Sequence, residues 1–206
     1  MIRFRHRMVF CLAAMALLFA VIGISHIKGM QTAVAGQVLR LHIIANSDSP
    51  KEQALKLQVR DRILTECSPL FVDCKSAQDA AKVARQNMTL LQQTAQRELL
   101  RHGVLQPVSV WVGERQFPTK AYGSVRLPAG TYTALNLRIG TGAGQNWWCV
   151  MYPPLCLMGD TVSADEDTLK RLRKELSAEE YALVTEAEDI HVTMKFKLAE
   201  LIGKWL

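Results

Sequence analysis

The stretch VLRLHIIAN, residues 38–46, is the one on which the fold turns. Leu39, Leu41, Ile43 and Ala45 alternate with Arg40, His42 and Ile44, the twofold period of a strand that sets one face on a core. The pattern downstream is helical. Ser49-Pro50-Lys51-Glu52 forms a capping box with proline at the first helical position, and Leu55, Val59 and Ile63 recur every four residues until Ser68-Pro69. A second box, Ser76-Ala77-Gln78-Asp79, predicts one long amphipathic helix with the stripe Ala84, Met88, Leu91, Ala95 and Leu99, stopping at His102-Gly103.

VSVWVGE (108–114) and YTALNLRIG (132–140) alternate as strands through Val108, Val110 and Val112 and through Leu135, Leu137 and Ile139. WWCVMY (147–152) is a continuous apolar run between a glycine-rich turn and Pro153-Pro154, which suits a fully buried strand. Further on, LKRLRKELSAEE (169–180), with a box at Ser177-Ala178-Glu179-Glu180, predicts one or two helices. IHVTMKFK (190–197) alternates as a last strand, and LAELIGKWL (198–206) as a short turn of helix. The sum is an α/β (α+β) domain, a mixed β-sheet with flanking helices, and neither a repeat nor a low-complexity linker divides it.

Ahead of this body stands a membrane-targeting segment. Arg3, Arg5 and Arg7 precede Met8–Ile24, seventeen residues without a charge. The arginines stay on the cytoplasmic side, so the remainder of the chain is delivered outward. Ala33-Val34-Ala35 offers an A-x-A site for a signal peptidase before Gly36. A run of this length also reaches the lower end of the roughly 17 to 25 residues that span a bilayer. Residues 1–35 therefore read as a signal peptide or a membrane anchor, and residues 36–206 as a single extracytoplasmic domain.

The formal charge of +6, from 25 basic against 19 acidic side chains, belongs largely to that leader. Without residues 1–35 the balance is 21 to 19, and no basic cluster interleaved with aromatics remains. A nucleic-acid partner is disfavoured, and a protein or envelope partner is favoured. Outside the leader the cysteines are Cys67, Cys74, Cys149 and Cys156, two neighbouring pairs each seven apart. An oxidising compartment permits two small disulfide loops, with free buried thiols the alternative for Cys67 and Cys74. Cys149 to Cys156 is the favoured bridge, since Pro153-Pro154 turns the intervening segment sharply enough for the short Cα separation a disulfide needs.

Nothing in the pattern calls for a metal or cofactor: neither C-x-x-C nor Cys/His zinc spacing occurs. Gly140-Thr141-Gly142-Ala143-Gly144 is followed by tryptophans rather than by a helix N-terminus, so it reads as a hairpin or bulge connection instead of a phosphate cradle. The one catalytic constellation to weigh is a thiol hydrolase, an amidase or peptidase, with Cys149 as nucleophile, His42 as base and Asn46 orienting the imidazole. Against it, a cysteine inside WWCVMY is more often a small buried hydrophobe. If that run is a strand, one of Trp147 and Trp148 points away from the core, where it suits partner contact as well as it suits capping of the sheet.

Several segments together, LRLHIIANSDSPKEQALKLQVRDRIL (39–64), FPTKAYG (117–123), LPAGTYTALNLRIG (127–140), and GQNWWCVMYPPLC (144–156), resemble the stage II sporulation protein R family of endospore-forming Firmicutes. IHVTMKFKLAELI fits the closing strand of that family, whereas residues 76–102 and the Cys67/Cys74 pair depart from it. The resemblance implies a noncatalytic signalling protein, made in the forespore and exported across its membrane into the intermembrane space. Its implied partner is a membrane-embedded aspartic protease, stage II sporulation protein GA, which processes the precursor of sigma factor E in the mother cell. On this reading His42, Asn46 and Asp48 form a shared partner-binding surface with Trp147 and Trp148.

Overall fold

The computed structural model describes residues 2–154 and 166–185. Helix α1 (Ile2–Gly36) leads without interruption into strand β1 (Leu39–Ile44), which is followed by α2 (Pro50–Cys67), a 3-10 turn (Ser68–Phe71), α3 (Ala77–Gln86) and α4 (Met88–Arg101). Then come β2 (Val108–Phe117), β3 (Lys120–Tyr122), β4 (Val125–Leu127), β5 (Gly130–Ile139), β6 (Asn146–Tyr152), α5 (Glu166–Glu175) and α6 (Ala178–Thr185). The four-stranded sheet runs β2-β5-β1-β6, and β3-β4 form a separate hairpin. The β1 and β5 strands pair in parallel while the other neighbours are antiparallel, so the sheet is mixed as expected. The predicted strand 190–197 lies outside the described residues.

The two capping boxes form as read: Ser49 accepts the Glu52 N–H at 3.3 Å and Ser76 accepts the Asp79 N–H at 3.1 Å. Leu55, Val59 and Ile63 of α2 meet Leu91, Ala95 and Leu99 of α4 and Leu39, Leu41 and Ile43 of β1 in one core. The opposite face of the sheet is covered by the end of α1, the β3-β4 hairpin, α5 and α6, around Val34, Val38, Tyr122, Tyr132, Val150, Leu172 and Val184.

Four expectations are corrected. The helix predicted over 76–102 breaks at Asn87, whose side-chain amide donates to the Val83 carbonyl at 2.8 Å, competing with the helical ladder. The break turns Met88 outward, 37% exposed, off the predicted stripe. Strand β1 has both faces covered rather than one: Arg40 and His42 are as buried as the leucines. Conversely, β6 is an edge strand rather than a fully enclosed one. Finally, Gly140–Gly144 is no hairpin, because β5 and β6 are not neighbours; the loop crosses the end of β1, which lies between them.

That crossing accounts for the glycines. Gly140 and Gly142 have φ of 57° and 68°, the left-handed region. A Cβ on Gly144 would stand 2.3 Å from the Ser47 carbonyl oxygen, so the two loops pack backbone to backbone.

Candidate functional site

Neighbouring residues of a strand point to opposite faces, and β6 uses both. Trp147 goes to the α2 side, where the Arg60 guanidinium lies 4.3 Å from its ring centroid. Trp148 goes to the hairpin side. There it stacks on His42, centroids 4.1 Å apart and planes within 7°, and meets Phe117 edge-on at 4.6 Å. Both tryptophans are half-buried; neither stands clear of the body as the alternation alone suggested.

His42 is held at both ring nitrogens. Nδ1 lies 3.1 Å from Asn136 Oδ1, and Nε2 lies 2.7 Å from the Asn146 side-chain amide. Asn136 spends its amide protons on the Ala134 and Gly113 carbonyls at 2.9 and 3.4 Å, so its oxygen faces the imidazole and Nδ1 carries the proton. At Nε2 the neighbour is the Asn146 side-chain oxygen, so both ring nitrogens face amide oxygens, an arrangement that favours a protonated ring. Burial pushes the His42 pKa down, outweighing the bonds to Asn146 and Asn136 that oppose it.

Two residues earlier, on the same face, sits Arg40, fully buried and with no carboxylate partner among the described residues. Its guanidinium lies over the rings of Phe117 at 4.3 Å, Tyr132 at 4.8 Å and Tyr122 at 5.6 Å. Nε donates to the Cys149 carbonyl at 3.0 Å and Nη2 to the Tyr122 hydroxyl at 2.7 Å, while Nη1 has no partner among the described residues. Desolvation lowers the Arg40 pKa, and burial raises that of Tyr132 to about 12. The alternation of β1 gave no sign of this, since a strand with one wet face would have sent Arg40 into water.

The residues proposed for thiol chemistry are not brought together. Cys149 is disulfide-bonded, which removes the thiolate a nucleophile requires. It also pairs with Leu41, whereas His42 pairs with Trp148, so the sulfur and the imidazole project from opposite faces of the sheet. The expected partner, Cys156, lies outside the described residues; Cys67 and Cys74 are free thiols. Asn46 does not orient His42. Its Oδ1 accepts the Thr141 N–H at 3.0 Å, and Asp48 Oδ1 accepts the Gln145 N–H at 2.7 Å. Both residues clamp the glycine loop and thereby fix where β6 begins.

Between α2, the outer edge of β6 and β3 opens a groove of about 440 Å³, lined by Gln53, Lys56, Lys120, Tyr122, Trp147 and Trp148 among others, with no acidic side chain among the described residues that line it. Tyr122 spans it, donating from its hydroxyl to the Trp148 carbonyl at 3.2 Å.

The profile of the family described as stage II sporulation protein R matches residues 35–162, from the last turn of α1 across the whole sheet. The chain belongs to that family. Stage II sporulation protein R of Bacillus subtilis (strain 168) is 36% identical over 144 residues, an alignment covering 68% of this chain and 64% of that protein. The chain thus spans a little under two thirds of the relative's length. No solved structure matches the fold.

Proposed function

We propose that the protein is an exported sporulation signal that acts by contact on a membrane-embedded protease. The observation that carries this reading is membership of the stage II sporulation protein R family across residues 35–162, preceded by an apolar helix. Made in the forespore, the protein crosses the forespore membrane. In the intermembrane space it triggers the aspartic protease, stage II sporulation protein GA, that processes the precursor of sigma factor E. Helix α1 suits such a route: Ala14–Gly36 has a mean hydropathy of 1.4, and it is exposed from Ala14 to Gly29 before its end enters the core at Val34. The chain works as a ligand rather than an enzyme, with β6 and the clamp residues Asn46 and Asp48 presenting the contact surface and His42 supporting it from beneath.

Co-expression with the protease and its sigma-factor substrate in a nonsporulating host tests this reading. Substrate cleavage should appear with the full chain and fall away when residues 1–35 are deleted. Equal cleavage in the absence of the chain, or none in its presence, would overturn it.

A further inference from the structure

We propose that two copies of the chain join through β2, antiparallel and edge to edge about a twofold axis at Gly113, so that their sheets become one. This surface lies at the opposite side of the sheet from β6 and is independent of the reading of the tryptophan strand as a contact surface.

The first observation is which way the backbone of β2 faces. Val108 is closed on its outer side by α4: its N–H donates to Gln96 Oε1 at 3.1 Å, and its carbonyl accepts from Gln92 Nε2 at 2.9 Å. Gln96 Nε2 also donates to the Gln106 carbonyl at 2.9 Å, whereas the Pro107 carbonyl turns inward to the Gly140 N–H at 2.8 Å. Even-numbered residues therefore face outward, and the ladder to β5 runs from Val108 to Phe117 without a shift of register. Past the glutamines, the outward N–H and C=O groups of Val110, Val112, Glu114 and Gln116 have no partner among the described residues. Neither a proline nor a bulge guards this stretch, and an edge left so is a template for another strand.

The second is that this edge complements itself. With Gln106 and Val108 already met by α4, one antiparallel register pairs all four open residues with one another: Val110 with the partner's Gln116, and Val112 with the partner's Glu114. That register sets Gly113 opposite its own copy and Trp111 opposite the partner's Arg115, in the non-hydrogen-bonded positions where side chains lie closest. Within one copy Trp111 and Arg115 already reach toward each other over Gly113. The guanidinium is 5.7 Å from the indole centroid, and a Cβ on Gly113 would stand 3.4 Å from Trp111 Cδ1. Pairing repeats the same cation–π match twice across the axis, and the two glycines leave room for the four side chains. The indole is only half-buried in one copy, so part of it remains to be covered. A second copy supplies the matching order of indole, glycine and guanidinium by symmetry alone.

Residue-resolved amide exchange on the full chain in nonionic detergent micelles, at rising protein concentration, tests this. The amides of Val110, Val112, Glu114 and Gln116 should slow at least tenfold as copies associate, while those of Ser109, Trp111 and Gly113, which face β5, start slow and change little. Gly113→Cys should cross-link to its own copy under mild oxidation, since the opposed Cα atoms fall at about 4.5 Å, within reach of a disulfide. Ser109→Cys, which the register sets opposite Phe117, should stay at the background of the unsubstituted chain. Glu114→Pro removes an outward N–H, a change an edge strand tolerates, and should abolish the concentration dependence. Trp111→Lys sets like charges against each other and should weaken association at least tenfold, and adding Arg115→Glu should restore it. Outward amides that exchange fast at every concentration, or slowly at every concentration because another part of the chain covers them, would overturn the proposal. So would equal cross-linking at positions 109 and 113, or association that survives both Glu114→Pro and Trp111→Lys, which would assign it to α1.

Discussion

His42 shows how a residue's chemistry is set by what closes over it. Its ring is sandwiched by Trp148 and hydrogen-bonded at both ends, and burial depresses its pKa. The native state therefore keeps the imidazole neutral, while the unfolded chain takes up a proton near its ordinary value of about 6.5. Stability is complete above that value and is lost as the pH falls through the depressed native pKa. The melting temperature should drop between pH 7 and pH 5 more steeply for the wild type than for His42→Gln; parallel profiles would show that His42 does not titrate in this way. The sequence made His42 conspicuous by rarity, one of three histidines beyond the leader. Its real companions, Asn136, Asn146 and Phe117, come from three strands, and no spacing rule connects them. Arg40 was hidden for the same reason: what surrounds it depends on a hairpin whose strands are only three residues each.

At the scale of elements, the loop from β5 to β6 is the part that places the tryptophans. Asn46 and Asp48 bind it through Thr141 and Gln145, and Gly144 lets its backbone rest on Ser47. Because Ser47 offers a carbonyl rather than a flexible tip, Gly144→Ala should destabilise the fold by about 1 to 3 kcal/mol, the range for overpacking a tight contact. Urea unfolding measures it, and a change within about 0.5 kcal/mol would show that the loop has slack. Periodicity and caps made β1, α2, β2, β5 and β6 legible, since each has a long enough pattern to outvote its exceptions. Asn87 split the middle helix through one side-chain bond to the Val83 carbonyl, which the apolar pattern on either side did not reveal. Which strands are neighbours was not legible at all. The glycines announced a tight connection, but that it strides over β1 follows only from the strand order.

For the whole molecule, the question is where the leader ends and the body begins. The sequence drew that line after Ala35, at the A-x-A site. In the structure Val34 is fully buried in the hairpin-side core, and the Gly36 carbonyl accepts from Gln78 at 3.2 Å. A body starting at Gly36 lacks a core side chain, and burying a valine is worth about 1.5 to 3 kcal/mol. A chain beginning at Met30 should therefore exceed one beginning at Gly36 by about that amount in urea unfolding. Equal stabilities would show that Val34 is dispensable and that the line belongs where the sequence put it.

A protein that keeps α1 has almost no tether. Large apolar side chains stay on the outside as far as Ile27, and by Val34 the helix is already core. At about 1.5 Å per residue that leaves roughly one and a half to two turns between lipid and body. Such a molecule cannot cast about like a float on a line; it sits on the bilayer like a rivet head. A domain of this size is only about 40 Å across, twice the radius expected from its length and a little more. Under the proposed function, a receptor in an opposing membrane would have to bridge the rest of the gap itself, or wait for the two membranes to close to that distance.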